Sequence, residues 1–146
     1  MIALLQRVSS ANVVVDNVQI ASIGRGILVL LGVEKGDGEA QARRIVERIL
    51  GYRIFEDDVG KMNLSLTGVD GALLLVPQFT LAADTAKGMR PSFSSAADPQ
   101  QGRQWFDRVV ALAKDAHSNV ETGCFGADMK VGLVNDGPVT FWLQSR

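Results

Sequence analysis

Two uninterrupted apolar segments, Ile27–Val33 and Gly71–Val76, restrict the folds open to this chain more than any other feature. A strand with one wet face alternates apolar and polar residues, and neither segment does. Ile27–Val33 therefore reads as a central strand covered on both faces, and Gly71–Val76 as a second fully apolar strand. The 146 residues form one domain, spanning 1–146, long enough to bury about 68–70% of the surface exposed when unfolded.

The remaining elements follow from local pattern. Met1–Val8 and Asn12–Asp16 are rich in aliphatic residues and flank Ser9-Ser10, which predicts two strands joined by a short turn. Val18–Ile23 continues the pattern before Gly24-Arg25-Gly26 turns the chain. Beyond the polar loop Glu34–Gly38, Ala42, Ile45, Val46, Ile49 and Leu50 recur at helical spacing, with Glu39 four residues ahead of Arg43 in a supportive pairing. Asp57–Lys61 reads as a loop. A second helix is expected from Asp98 as N-cap, with Pro99 at its first position, Gln101 completing a capping box, and Trp105, Val109, Leu112, Ala113 and Ala116 as its buried stripe. Val120–Gly123, Met129–Asn135 and Val139–Leu143 read as closing strands. Ala82–Ala97 shows no period and reads as a long ordered loop, a class often functional. This order, without alternating βα units or repeats, predicts an α+β domain: two packed sheets or a partly closed barrel with two main helices outside.

Several classes of chemistry are absent from the residue inventory. His117 is the sole histidine and reads as a surface residue favoured by the dipole at a helix end. Cys124, the sole cysteine, reads as a small buried hydrophobe without a basic partner. Ser-His-Asp and Cys-His sites are thereby excluded, and no zinc spacing or EF-hand loop occurs. Gly24-Arg25-Gly26 and Gly36-Asp37-Gly38 lack a phosphate-cradling frame and read as turns, and Asp57-Asp58 as a solvated loop face. No metal and no cofactor is expected. A net charge of −1 gives no global attraction to nucleic acid or anionic membranes, so any RNA contact is local. One cysteine, no signal peptide of normal form and no apolar run near the ~20 residues of a membrane span predict a soluble cytoplasmic domain.

What remains are two short motifs at strand ends. Val76-Pro77-Gln78-Phe79-Thr80-Leu81 has a plain reading, in which Thr80 is one more β-branched residue and Gln78 satisfies a neighbouring backbone group. Its functional reading converges the amides around Gln78, Phe79 and Thr80 on a reacting carbonyl; removing one such donor costs roughly 10²–10³ in rate. Asn135-Asp136-Gly137-Pro138-Val139-Thr140 is either a plain turn or a cis Gly-Pro peptide presenting main-chain carbonyls to a ligand.

Pro77-Gln78-Phe79-Thr80-Leu81 and Asn135-Asp136-Gly137-Pro138-Val139-Thr140 resemble the two signature motifs of the D-aminoacyl-tRNA deacylases, or D-tyrosyl-tRNA deacylase family. The resemblance runs the full length, through Met1–Val8, Leu31-Gly32-Val33, Gly51–Phe55, Gly60–Asn63 and Gly88–Phe93. It implies a three-layer β/β/α fold and a homodimeric editing hydrolase that binds the tRNA acceptor end and frees D-amino acids, and glycine mischarged on tRNA-Ala. It also implies that Gly137 and Pro138 reach into the partner's pocket beside Gln78, Phe79 and Thr80, rejecting L-residues through main-chain carbonyls. The terminal ribose 2′-hydroxyl would assist cleavage, with Thr80 positioning rather than attacking. By the same resemblance Arg7 braces the dipeptide, Phe125 and Met129 form the adenosine pocket, and Lys87, Arg90 and Lys130 are phosphate contacts.

One residue departs from the pattern: the family motif begins with serine where this chain has Pro77, which removes a hydroxyl and a backbone N–H. A sister group of deacylases also carries proline there, with a trans Gly-Pro and looser chiral exclusion. Three readings stay open at this point. They are a D-specific deacylase, an editor of mischarged L-alanyl- or glycyl-tRNA, and a non-catalytic dimeric binder of tRNA ends.

Overall fold

The structure, a computed structural model, describes residues 1–146. Its elements in chain order are β1 (Ile2–Val15), β2 (Val18–Ile23), β3 (Gly26–Gly32), α1 (Glu39–Gly51), β4 (Phe55–Glu56), β5 (Met62–Leu64), β6 (Ala72–Pro77), a 3-10 turn (Phe79–Ala82), α2 (Pro99–Ala116), β7 (Val120–Thr122) and β8 (Lys130–Gln144). The main sheet runs β2-β1-β3-β6-β7, with β8 on the opposite edge of β1; β4 and β5 form a small separate sheet. β1 is antiparallel to β2, β3 and β8, while β3, β6 and β7 run parallel. The mixed sheet nearly closes into a barrel with both helices outside, an α+β arrangement as expected.

The two apolar runs sit at its centre as β3 and β6. Their alternate residues feed two cores. Ile27, Val29 and Leu31 of β3, with Leu73 and Leu75 of β6, pack under the helices against Ile45, Ile49, Phe106 and Val109. Leu28, Ala72, Leu74 and Val76 point the other way and meet Val8, Ala11 and Val13 of β1 and Ala21 and Ile23 of β2. That two-sided burial is why neither run alternates. Gly26 lets the strands approach, because a Cβ there would collide with the Ala72 main chain.

Two expectations are corrected. Ser9-Ser10 is not a turn: β1 runs unbroken through it, and the hairpin instead turns at Asp16-Asn17, both in the left-handed region with φ of 49° and 62°. The ladder to β8 is irregular there, between Gln6 and Ser10, and the two exposed serines lie on a bend that carries β1 from one core to the other. The closing strands Met129–Asn135 and Val139–Leu143 are one strand, β8, because its partner β1 is itself continuous.

Helix α1 buries the five residues its spacing predicts, and Arg43 Nη2 lies 2.7 Å from the Glu39 carboxylate. The same carboxylate takes Arg108 of α2 bidentately, at 2.8 and 2.7 Å, tying the helices together. Hydrogen bonding to Arg108 holds the Glu39 pKa down to about 2. On α2, Asp98 caps the Gln101 amide at 3.0 Å, but the Gln101 side chain returns no bond, so the expected box is half formed. The buried stripe is Gly102, Phe106, Val109 and Ala113; Ala116 is exposed, and Trp105 and Leu112 are only partly buried. The stripe is rotated because Phe106 enters the space beside Phe125. No helix is long and apolar enough to cross a membrane.

Candidate active site

Because β3 and β6 are parallel, their ends lie together. The Gln78 N–H donates to Leu31 O at 2.8 Å, extending the ladder one residue past Pro77 before the chain turns at Phe79. A cavity of about 760 Å³ opens there. Leu31, Val33, Val76 and Pro77 line it from the strand ends, and Asp98, Pro99 and Gly102 from the start of α2. Phe79 and Phe93, 5.2 Å apart between ring centroids, line it together with Phe106 and Phe125, 6.2 Å apart, and with Met129 and Val131. Its charged lining is Lys35 and Asp98. The carboxylates whose pKa is lowered, Glu34, Glu39 and Asp57, all lie outside it.

Pro77, Gln78, Phe79, Phe125 and Met129 are thus brought together, as their expected roles require. Thr80 is exposed and stands beside the cavity, its Oγ1 accepting a short hydrogen bond from the Gln78 side-chain amide. The hydroxyl proton of Thr80 is then turned away from Gln78 and free to donate elsewhere. One expectation changes: the Gln78 main-chain amide is committed to Leu31 and cannot face a reacting carbonyl. Phe79 and Thr80 open the 3-10 turn, whose first amides have no partner inside it.

Gly137, Pro138 and Arg7 form a second group, outside the cavity lining. In the β1–β8 ladder Gln6 pairs with Thr140 and Val8 with Asn135, so two steps of β1 face five of β8. Asp136–Val139, four residues facing Arg7 alone, leave the ladder as a bulge. Arg7, buried on β1 opposite it, donates Nε to Asp136 O at 2.9 Å and Nη1 to Ile54 O at 2.8 Å. Asn135 closes the bulge from within: its Oδ1 accepts the Val139 N–H at 2.7 Å and its Nδ2 donates to Thr140 Oγ1 at 2.9 Å. The Gly137–Pro138 peptide is cis, and Gly137 has φ of 143°. A Cβ at Gly137 would stand 2.6 Å from Val139 Cγ2 and 3.2 Å from Arg7 Nη2, so only glycine fits. Asn135 and Thr140 belong to the motif, but their bracing role is invisible without the ladder geometry.

Among the expected phosphate contacts, Lys130 is 3.4 Å from Asp128, while Lys87 and Arg90 are exposed on the 83–97 loop without an ion pair. Sequence reasoning missed Phe93, Phe106 and Lys35 as cavity residues; their aromatic and cationic character was visible, but the convergence of three distant segments was not. His117 is not a surface residue: it is buried, with Nε2 2.6 Å from Gly71 O, because the end of α2 packs on the loop before β6. Cys124 is exposed rather than buried, because its turn lies outside both cores, with its N–H directed to Met129 Sδ at 3.3 Å.

The family model of D-Tyr-tRNA(Tyr) deacylase matches residues 4–144. A D-aminoacyl-tRNA deacylase of Thioalkalivibrio sulfidiphilus is 66% identical over 99% of this chain and 97% of its own length. The solved structure of a c-Myc DNA unwinding element binding protein superposes with a TM-score of 0.96 at 38% identity, covering 100% of this chain and 99% of that one. The structure of a probable eukaryotic D-amino acid tRNA deacylase, at 20% identity and a TM-score of 0.83 over 99% and 98% of the two chains, shares the fold. The chain belongs to the D-aminoacyl-tRNA deacylase family and is, with that family, a hydrolase.

Proposed function

We propose that this chain cleaves the ester of D-aminoacyl-tRNA to free amino acid and tRNA, takes glycyl-tRNA mischarged on tRNA-Ala as a second substrate, and rejects L-aminoacyl-tRNA. The observation that carries this reading is the braced bulge Asp136–Val139, a rigid piece of main chain whose supports, Arg7 and Asn135, are both spent on holding it. The carbonyls of Gly137 and Pro138 leave room for hydrogen on one side of Cα, where an L side chain would collide. Glycine has nothing to collide and passes.

The cavity receives the terminal adenosine, with Phe125 and Met129 against the base and the ester near Phe79 and Thr80. The ester is labile, so the protein's task is orientation and oxyanion stabilisation. Thr80, its hydroxyl oxygen already held by Gln78, serves as a positioning donor rather than a nucleophile, since no base adjoins it. The ribose 2′-hydroxyl assists the attack of water. Pro77 lines the cavity where a serine is usual, and it stiffens the approach without supplying a donor.

Bulge and cavity are separate on one protomer, which favours a homodimer in which each bulge serves the partner's cavity. The edge of β8 supports this: a 15-residue strand paired only with β1, carrying Val134 and Trp142 at 56% and 52% exposure. Such an edge is ordinarily covered.

The test is hydrolysis of D-tyrosyl-, L-tyrosyl- and glycyl-tRNA, with D-tyrosyl-tRNA lacking the terminal 2′-hydroxyl alongside. Rapid release of D-tyrosine and glycine, with the 2′-deoxy substrate resistant, is expected. Preferred release from L-substrates would favour an editor of mischarged L-alanyl- or glycyl-tRNA, and no release at all a non-catalytic binder.

A further inference from the structure

None of the expected phosphate contacts lines the cavity, but besides Lys35 a second cation is tied to its wall. Arg103, on α2 directly after the cavity-lining Gly102, holds its guanidinium carbon 5.0 Å from the centroid of the Phe125 ring. Its Nη2 also donates to the Phe125 carbonyl at 3.3 Å. Phe125 is thereby fixed from outside by Arg103, while its ring lines the cavity and faces Phe106. Arg103 makes no ion pair, whereas Lys130 has Asp128 and the neighbouring Arg108 on the same helix has Glu39. In a chain of net charge −1, an unneutralised guanidinium tied to the wall of the cavity is where the field of a bound polyanion is met.

We propose that Arg103 is the residue by which the cavity recognises the phosphodiester preceding the terminal nucleoside, while also positioning Phe125 against the base. Stacking and the carbonyl bond use one ring face and one N–H. The remaining N–H donors of the planar fork are left for phosphate oxygens, a geometry that lysine cannot reproduce. Lys87 and Arg90, neither of which lines the cavity, then add at most diffuse attraction. The inference rests on the cavity being the site of the terminal adenosine.

Deacylated tRNA and free adenosine are the probes, each titrated against the wild type, Arg103→Gln and Arg103→Lys between about 50 and 200 mM salt. Arg103 is exposed, so thermal midpoints of the variants should match the wild type. Arg103→Gln is expected to weaken tRNA roughly tenfold at the low-salt end, the value of one charge-assisted hydrogen bond. The slope of log Kd against log salt should fall by about 0.7, one phosphate contact on a single strand. Adenosine, which has no phosphate, should weaken far less, and Arg103→Lys should recover the slope but not the adenosine loss. An unchanged salt slope in Arg103→Gln, or no adenosine binding by the wild type, overturns the proposal. D-Tyrosyl-tRNA hydrolysis measured alongside separates the two readings. An inactive wild type with the predicted slopes contradicts only the hydrolytic function, and an active one with an unchanged slope contradicts only this assignment.

Discussion

The cavity where β6 ends is walled by side chains, among them Phe79, Phe93, Phe106 and Phe125, whereas the bulge on β8 is main chain held by Arg7 and Asn135. The cavity prolongs the helix-side core, since Leu31 and Phe106 belong to both. Its shape can give a little when one side chain changes. The bulge has less reserve: Arg7 fixes the Asp136 carbonyl, Asn135 fixes the Val139 N–H, and Gly137 leaves no volume for a Cβ. Apolar walls suit a base or an amino-acid side chain of varied size. A stiff carbonyl pair suits a decision about handedness, which demands that nothing yield.

The comparison breaks most sharply at Gly137. Gly137→Ala should lower kcat/KM on D-aminoacyl-tRNA roughly 10²-fold, the scale of an ångström-level misplacement. Its thermal midpoint should fall as well, since a Cβ at φ of 143° meets Val139 Cγ2 at 2.6 Å, so activity is compared at a temperature where the variant is fully folded. Wild-type activity in this variant would mean that the bulge does not contact substrate. Arg7→Lys comes next: it cannot serve both Asp136 O and Ile54 O, and should lose about 1–3 kcal/mol of stability with activity down about tenfold. Denaturant midpoints and kinetics on the same samples would show whether the two losses travel together. On the cavity side, Phe106→Leu should cost less than about 1.5 kcal/mol and raise KM a few-fold with kcat kept, as an adaptable wall would. A fall in kcat instead would show the wall to be as strict as the bulge.

The central strands, both helices and the burial face of α1 were legible because period and capping are local signals. The course of β1 through Ser9-Ser10 was not, since a bend within a strand and a turn share composition; only the ladder to β8 distinguishes them. The same ladder explains the bulge, whose three surplus residues relative to β1 have no local signature. Phe125 and Met129 could be placed by resemblance, but Phe93 and Phe106 join them only through the packing of α2 and the 83–97 loop. His117 and Cys124 exchanged environments through tertiary packing: the end of α2 packs on the loop before β6, whereas the turn after β7 lies outside both cores.

The smallest expected effect concerns the scaffold common to both regions. The Glu39 pKa is held near 2 against an ordinary 4.5 by Arg108, so the folded state binds this proton less readily than the unfolded. The pair contributes fully above pH 4.5 and its contribution is lost as pH falls toward 2. Urea midpoints across that range should decline more steeply in the wild type than in Arg108→Gln, by a small margin because the pair is exposed. Equal slopes would mean that the clamp between α1 and α2 is without weight.

Complementation between two inactive variants examines the division of labour itself. Gly137→Ala spoils the bulge and leaves the cavity, while Ala127→Trp fills the cavity and leaves the bulge. Refolded together in equal amounts, they should form mixed dimers with one sound composite site, recovering about a quarter of wild-type D-aminoacyl-tRNA hydrolysis. Mixed dimers demonstrated by tag exchange yet without activity would place bulge and cavity in one protomer's work, and contradict the account.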